Sequence, residues 1–508
     1  MAEFHRRVAT EAELDGLLRY VAAHWNDLVC DNSRILDIAR DPKWTLEPGQ
    51  KWPIYVSEKE DPAAIERHLR SINSPEDMAQ IEVLRIPKER SQTKRQGALY
   101  LPHRYVVPGG RFNEMYAWDS FFIFLGLLQD GKYRLAQGMV DNQIYCVDAY
   151  GLVPNGNRTY YLTRSQLPFL GQMIRLMHAA KPQSRAWLES ALSAAERYHR
   201  YYISGGHHLP DVGLERFWDF GPHGSPPPEA DSHERDEEGR TPHERIRQYF
   251  REQLDRGGID DYSASLSVRR ADGADIRRFY DYAHDELTPE YYDQDRAMRE
   301  SGFDYSRRFG PFNASILDYA PVCLNSLLYQ LERDIAALRT LLGSDSAAWT
   351  EKAERRGELV RQRCFDPPDG LFYDFNHRTR QRRAYAFGTT FLPLWVGLAT
   401  PAQAARVAQR GLERLAIAGG LASSDREEYD QWDMPYAWAP LQLFAVEGLR
   451  RYGFADEADR LSINFASCVL KVYLKTGELW EKYDARERSE RVVLRFGYPS
   501  NEQGFGWT

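Results

Sequence analysis

From residue 120 onward, apolar positions recur at helical spacing and come in pairs. Ser120 to Leu128 and Tyr133 to Tyr150 carry the pattern on either side of the breaker Gln129-Asp130-Gly131-Lys132. It returns at Leu167 to Ala180 with Ser184 to Ile203, at Phe312 to Leu342 with Ala347 to Cys364, at Thr390 to Leu398 with Pro401 to Ile417, and at Ala437 to Tyr452 with Ala455 to Leu474. Helical hairpins joined by short turns predict an all-α helical toroid, whose inner helices bury both faces and whose outer helices bury one. Strands are few: Gly370 to Phe375 with Arg380 to Ala384 predicts one short hairpin.

One stretch breaks the rhythm. From about Phe217 to Asp261 the chain turns to Pro, Gly, His and charge, as in Gly224-Ser225-Pro226-Pro227-Pro228-Glu229 and His233-Glu234-Arg235-Asp236-Glu237-Glu238. Such a composition predicts a solvated loop with little core, although a loop between two site motifs is also placed to close over a ligand.

Composition narrows the class. With 43% hydrophobic residues over 508 positions there is ample material for a large core, and a net charge of -8 argues against a phosphate array or an anionic membrane as partner. The expected partner is small and neutral or weakly acidic, with no nucleic acid and no membrane. Cys30, Cys146, Cys323, Cys364 and Cys468 are odd in number and scattered, which predicts reduced core thiols rather than a disulfide framework or a zinc site. Met1 to Asn26 mixes charge into its apolar residues as a signal peptide does not, so the cytoplasm is the expected compartment. Elsewhere charge interrupts every apolar run long enough to span a bilayer.

Two segments pair Trp with Asp in aromatic company: Pro108-Gly109-Gly110-Arg111-Phe112-Asn113-Glu114-Met115-Tyr116-Ala117-Trp118-Asp119, and Gln431-Trp432-Asp433-Met434-Pro435-Tyr436-Ala437-Trp438-Ala439-Pro440. A flat apolar ring suits the C–H face of a pyranose and a carboxylate suits its hydroxyls. The polar loop from Val153 to Gln166 adds amides, guanidinium groups and tyrosines between two hairpins. Its residues leave two readings open, a sugar-binding loop and a turn made tight by Asn155-Gly156.

These segments, with Glu481-Lys482-Tyr483-Asp484 and the terminal Gly504-Phe505-Gly506-Trp507-Thr508, resemble the trehalase family of inverting α-glucosidases. The resemblance runs from about residue 108 to 508. It covers the first signature from Pro108 to Asp119, with Phe121 where a Tyr is usual, and the whole of the second, from Gln431 to Pro440. It implies an (α/α)6 barrel over 108–508, with an inserted loop region at about 204–300 and N-terminal helices and an extended lead-in over 1–107. It also implies catalysis by two carboxylates without metal or organic cofactor. Glu300-Ser301-Gly302-Phe303-Asp304-Tyr305-Ser306 resembles the family's general-acid segment, which makes Asp304 the acid, and Glu481 resembles its general base. Inversion needs such a pair about 6.5–9.5 Å apart, with a water between. By the same resemblance Phe112, Tyr116, Trp118, Asp119, Asn155, Arg164, Gln166 and Gly302 line the glucosyl pocket, with Arg111, Trp432 and Asp433 nearby.

The chain departs from the family on the leaving-group side. The usual Arg-Pro-Glu segment is represented by Pro227-Pro228-Glu229, and Gly497 stands where a Glu is usual in Arg495-Phe496-Gly497-Tyr498-Pro499. The tract from Phe279-Tyr280-Asp281-Tyr282 to Tyr291-Tyr292-Asp293 is unexplained by the family and lacks a spaced cation loop. These departures tilt the expected substrate to an α-glucoside with a compact aglycone, such as glucosylglycerol, a compatible solute, with α,α-trehalose as the alternative. A phosphorylase on a similar barrel, in which Glu481 would be dispensable, is the enzyme runner-up. A non-catalytic sugar binder is disfavoured because a binder has no need of both Asp304 and Glu481.

Overall fold

Paired helices form where the apolar spacing predicts them. The computed structural model describes residues 10–88, 93, 95–230, 235–236, 238–256, 276–497 and 500–508. Asp119–Gln129 leads into Tyr133–Tyr150, Leu170–Ala180 into Arg185–Tyr202, and Val322–Leu341 into Ala347–Cys364. A 3-10 turn, Gly388–Phe391, and the short helix Leu392–Trp395 lead into Pro401–Leu415, and Ala439–Arg451 leads into Ala455–Thr476. The first member of each pair lies inside. Asp119 to Phe124 are buried without a break, whereas Arg185–Tyr202 buries Leu188, Ala191, Ala194, Ala195, Tyr198, His199 and Tyr202, a single helical face. This is the (α/α)6 barrel class. Glu11–His24, started by a Thr10/Glu13 capping box, adds an outer helix against Ala455–Thr476. An apolar cavity of about 410 Å³ lies between Asp119–Gln129 and Ala439–Arg451, walled by Val21, Trp25, Leu125 and Val446.

Three expectations change. Residues 312–321 hold no α-helix: Phe312 and Asn313 take positive φ within the 3-10 turn Pro311–Asn313, the 3-10 turn Ile316–Asp318 and the strand Tyr319–Ala320 follow, and α-helix starts only after Pro321. The predicted strand pairing is shorter and branched, with Phe375–Asn376 pairing both Gln381–Arg382 and Tyr319–Ala320 while Leu371–Phe372 turns back on Phe365–Asp366. The N-terminal stretch is more than helices and lead-in. It holds a parallel sheet in the order Ile81–Arg85, Trp52–Val56, Ala98–Leu99, crossed over by Pro62–Ile72 and Pro75–Ala79. Ile35, Ile38, Ile54, Val56, Leu69, Met78 and Ile81 give that unit a core of its own.

The stretch read as a solvated loop is largely structured. Pro242–Asp255 is a helix with a Thr241/Glu244 capping box that buries His243, Ile246 and Phe250, and Phe217, Glu229 and Ala230 are buried as well. Residues 231–234, 237 and 257–261 of that stretch lie outside the described residues. In the Tyr-Asp tract, Tyr280 and Tyr291 pack inward, and among the described residues no His, Cys, Asp or Glu cluster is arranged to hold a metal. All five cysteines are free, four of them buried. No described helix is long and apolar enough to cross a membrane.

Candidate active site

The ring encloses a cavity of about 230 Å³ where the two Trp-Asp segments, the 153–166 loop, the Gly302–Asp304 turn and the C-terminal strings converge. Its floor is aromatic. Trp432 and Trp438 stack with centroids 3.9 Å apart, and Trp118 meets Trp432, Phe303 and Trp507 at 6.0, 5.5 and 5.5 Å. Trp118 is locked by its backbone N–H, which donates to Gln166 Oε1 at 3.1 Å. The Ala117 N–H donates to the Asn155 carbonyl at 3.0 Å, tying the first signature to the 153–166 loop.

That loop is both a tight turn and a pocket wall. Asn157 accepts from the Met115 N–H at 2.8 Å, Arg158 is buried against Glu114 at 2.8 Å, and Asn155, Arg164 and Gln166 face the cavity. Arg164 lies over the Tyr161 ring at 5.0 Å and pairs with Glu229 and, at 3.4 Å, Asp219. Those two anions outweigh the burial that opposes the guanidinium's charge.

Gly302 ends the helix Pro289–Ser301 in the left-handed region at φ 75°, and a Cβ there would touch the Trp118 ring at 3.3 Å. The turn it makes delivers Asp304 to the cavity, where Gln431 donates to the Asp304 carbonyl. Glu300, fully buried in the same helix, accepts from Tyr201 Oη at 2.6 Å, His207 Nε2 at 2.9 Å, and the Trp218 and Ser165 N–H groups at 2.8 and 3.3 Å.

Glu481 enters from the opposite side of the sequence, held by Lys482 Nζ at 2.6 Å. Its N–H donates to the Glu502 carbonyl and its own carbonyl accepts from Trp507 Nε1 at 3.0 Å. Asp119 shares the cavity, and burial, reinforced by the nearby Glu481, pushes its carboxyl up to about 8 although its own backbone N–H opposes the shift. Below that value it holds its proton and can donate as well as accept. Two carboxylates within one cavity, with aromatic faces and fixed donors around them, can activate a water and protonate a departing oxygen.

Of the residues singled out in sequence, Arg111, Phe112, Tyr116, Trp118, Asp119, Asn155, Arg164, Gln166, Gly302, Asp304, Trp432 and Glu481 all line this cavity. Asp433 does not. It is buried behind Trp432, bound to Tyr385 and to Ser424 Oγ at 3.0 Å, and burial beside Asp430 holds its carboxyl well above the usual range. The lining adds residues that sequence reasoning did not place there, among them Lys43, Glu114, Tyr161, Glu229, Arg299 and Trp507. The departure at Gly497 also acquires a reason: a Cβ there would stand 2.8 Å from Gln431 Cβ. Tyr498 and Pro499 lie outside the described residues.

A helical barrel whose pocket joins stacked tryptophans to two carboxylates defines a glycoside hydrolase of the α-glucosidase type. The Trehalase family model matches residues 19–508, and the chain belongs to that family. It is 30% identical to the cytosolic neutral trehalase of Saccharomyces cerevisiae, over 95% of this chain and 69% of that one. It is 35% identical to the periplasmic trehalase of Pseudomonas aeruginosa, over 81% and 70%. The solved structure of the Saccharomyces cerevisiae neutral trehalase superposes with a TM-score of 0.79 at 29% identity, covering 97% of this chain and 92% of that one.

Proposed function

We propose that the protein hydrolyses α,α-trehalose with inversion, with Asp304 as general acid and Glu481 as general base. Glu481 takes a proton from water as that water attacks the anomeric carbon. The bond from that carbon to the bridging oxygen breaks, and Asp304 protonates the oxygen as the second glucose leaves. Trp118, Asp119, Asn155, Arg164, Gln166 and Gly302 hold the glucosyl unit that is attacked.

The observation that carries the choice of trehalose is the leaving side of the cavity. The missing Arg of Pro227-Pro228-Glu229 favoured a compact aglycone such as glucosylglycerol, but that side is well supplied. Glu229 lines the cavity, paired with Arg164, and a guanidinium reaches the same wall from Arg299 on the helix Pro289–Ser301. Arg111, held by Glu502, adds another. Such fixed polar groups suit a second pyranose with its many hydroxyls better than a three-carbon polyol. The names of the relatives point the same way. We assign the protein to the cytoplasm, in keeping with its free thiols and with the cytosolic relatives that match nearly its whole length.

Glucose release from trehalose and from glucosylglycerol tests this reading. We expect kcat/KM to be at least about tenfold higher on trehalose, and Asp304→Asn and Glu481→Gln each to lower turnover by about 10²–10⁴-fold or more with the fold intact. Equal or better efficiency on glucosylglycerol would restore the compact aglycone, and near-normal turnover by either variant would remove that residue from its role.

A further inference from the structure

Among the described residues, the N-terminal unit reaches the cavity at one place, the turn Asp41-Pro42-Lys43. We propose that this turn completes the leaving-sugar half of the site and that Lys43 is a specificity-determining residue, its ammonium donating to hydroxyls of the departing glucose. The proposal rests on the trehalose reading above.

The turn is fastened to the barrel independently of the lysine side chain. Arg158, 1% exposed, donates to the carbonyls of Ala39 and Arg40 at 3.2 and 2.8 Å, and its guanidinium lies 3.7 Å from Asp41 Oδ2. Tyr160 Oη donates to the same Asp41 oxygen at 2.8 Å, and Asp41 Oδ1 accepts from the Lys43 N–H at 2.9 Å, which sets the bend. Trp44 packs on the cluster of Tyr116, Tyr160 and Tyr161. A buried Arg spent on two backbone carbonyls of another unit holds that backbone in one place.

What the turn presents is a cation. Lys43 Nζ donates to Tyr161 Oη at 3.1 Å and stands 5.3 and 5.4 Å from the Tyr160 and Tyr161 ring centres. Tyr161 Oη is in turn 3.2 Å from Tyr116 Oη, a residue of the glucosyl wall. Burial opposes the charge, but Tyr161, Glu114 and Asp41 outweigh it and hold the ammonium above its ordinary value. An ammonium carries three donors, and among the described residues Tyr161 Oη takes one. The others serve a ligand in the cavity that Lys43 lines.

Position decides which sugar that is. Asp119, Glu481, Trp118 and Trp438 are buried at the floor, whereas Pro42 and Arg111 are exposed and mark the mouth. In a pocket closed at one end, the attacked glucosyl unit sits at the floor and the departing one faces the mouth. Lys43 adjoins Pro42 there, close enough to Glu229 for the two charges to interact. Removing a charged donor to a substrate hydroxyl should therefore cost binding of the leaving sugar and little else.

The test compares two leaving groups. On trehalose, Lys43→Met should lower kcat/KM about ten- to hundredfold, mainly through KM, while on α-glucosyl fluoride, whose leaving group is one atom, the change should stay within about threefold. Lys43→Arg, which keeps charge and donors, should recover most of the trehalose efficiency. Both variants should keep the parent's fold by near-UV circular dichroism, since the Arg158 and Tyr160 anchors remain, even where Lys43→Met loses some thermal stability with its ammonium. An equal loss on both substrates, or an unchanged efficiency on trehalose, would overturn the role of Lys43 while leaving the trehalose reading standing. Wild-type protein that hydrolyses the fluoride but not trehalose would overturn both.

Discussion

At the residue scale, the shared cavity of Asp119 and Glu481 sets two carboxyl groups apart by environment. Asp119 is pushed up to about 8 from an ordinary 3.8 by burial, while Glu481 has the Lys482 ammonium at 2.6 Å. The raised value has a consequence for stability. The folded state holds the Asp119 proton more tightly than the unfolded chain, so this contribution is fully present below about pH 4 and is lost as pH rises towards and through 8. Asp334, pushed up to about 6 by burial despite Arg175, acts in the same direction over a lower window. Thermal unfolding of the unliganded protein should therefore show a midpoint that falls from pH 6 to 8.5, and Asp119→Asn should flatten the upper part of that fall. An identical slope in the variant would mean that Asp119 is ionised at neutral pH. Among the cavity residues, Trp118, Asp119, Asp304 and Glu481 were legible because they sit in dense motifs. Lys43 and Arg299 were not, because neither lies in a local pattern that separates a pocket side chain from a solvated one, and Glu229 showed only as the remnant of an Arg-Pro-Glu segment.

At the scale of elements, the helix Pro289–Ser301 does most of the positioning. Its C-terminal glycine turns the chain towards Asp304, Arg299 projects into the cavity, and Glu300 is a buried anchor for the 165 loop and the 201–218 segment. Glu300→Ala would leave Tyr201, His207 and the Trp218 N–H without their acceptor, while the Ser165 N–H would keep Tyr201 Oη. We expect a loss of about 3–5 kcal/mol in denaturant unfolding, with activity falling as the Asp304 turn loosens. A loss under about 1 kcal/mol would show that water replaces the carboxylate without cost. Regular hairpins were readable from periodicity, since long amphipathic helices repeat their pattern several times. Pro242–Asp255 escaped because Ile246 and Phe250 are a thin apolar stripe among charges, although its Thr241-Pro242-His243-Glu244 start is a capping signal. The parallel strands Trp52–Val56 and Ile81–Arg85 escaped because stretches of five residues are too short for periodicity to distinguish strand from helix.

At the scale of the molecule, the barrel supplies a rigid floor and the elements outside the ring build the mouth. Trp118, Trp432 and Trp438 come from motif segments at the ends of the inner helices. Lys43 comes from the N-terminal α/β unit, and Glu229 and Arg299 from the stretch between the second and third hairpins. This division explains why the reaction was easier to read than the substrate. On the proposed function the chemistry belongs to the floor, while the mouth is built by parts whose sequence carries no periodic signal. The central claim, inverting hydrolysis of trehalose by the Asp304 and Glu481 pair, is tested most directly by proton NMR of the first turnovers. Attack with inversion turns one glucose to β while the departing glucose keeps its α configuration, so the account predicts α- and β-glucose in equal amounts before mutarotation. Release of α-glucose alone from both halves would contradict it.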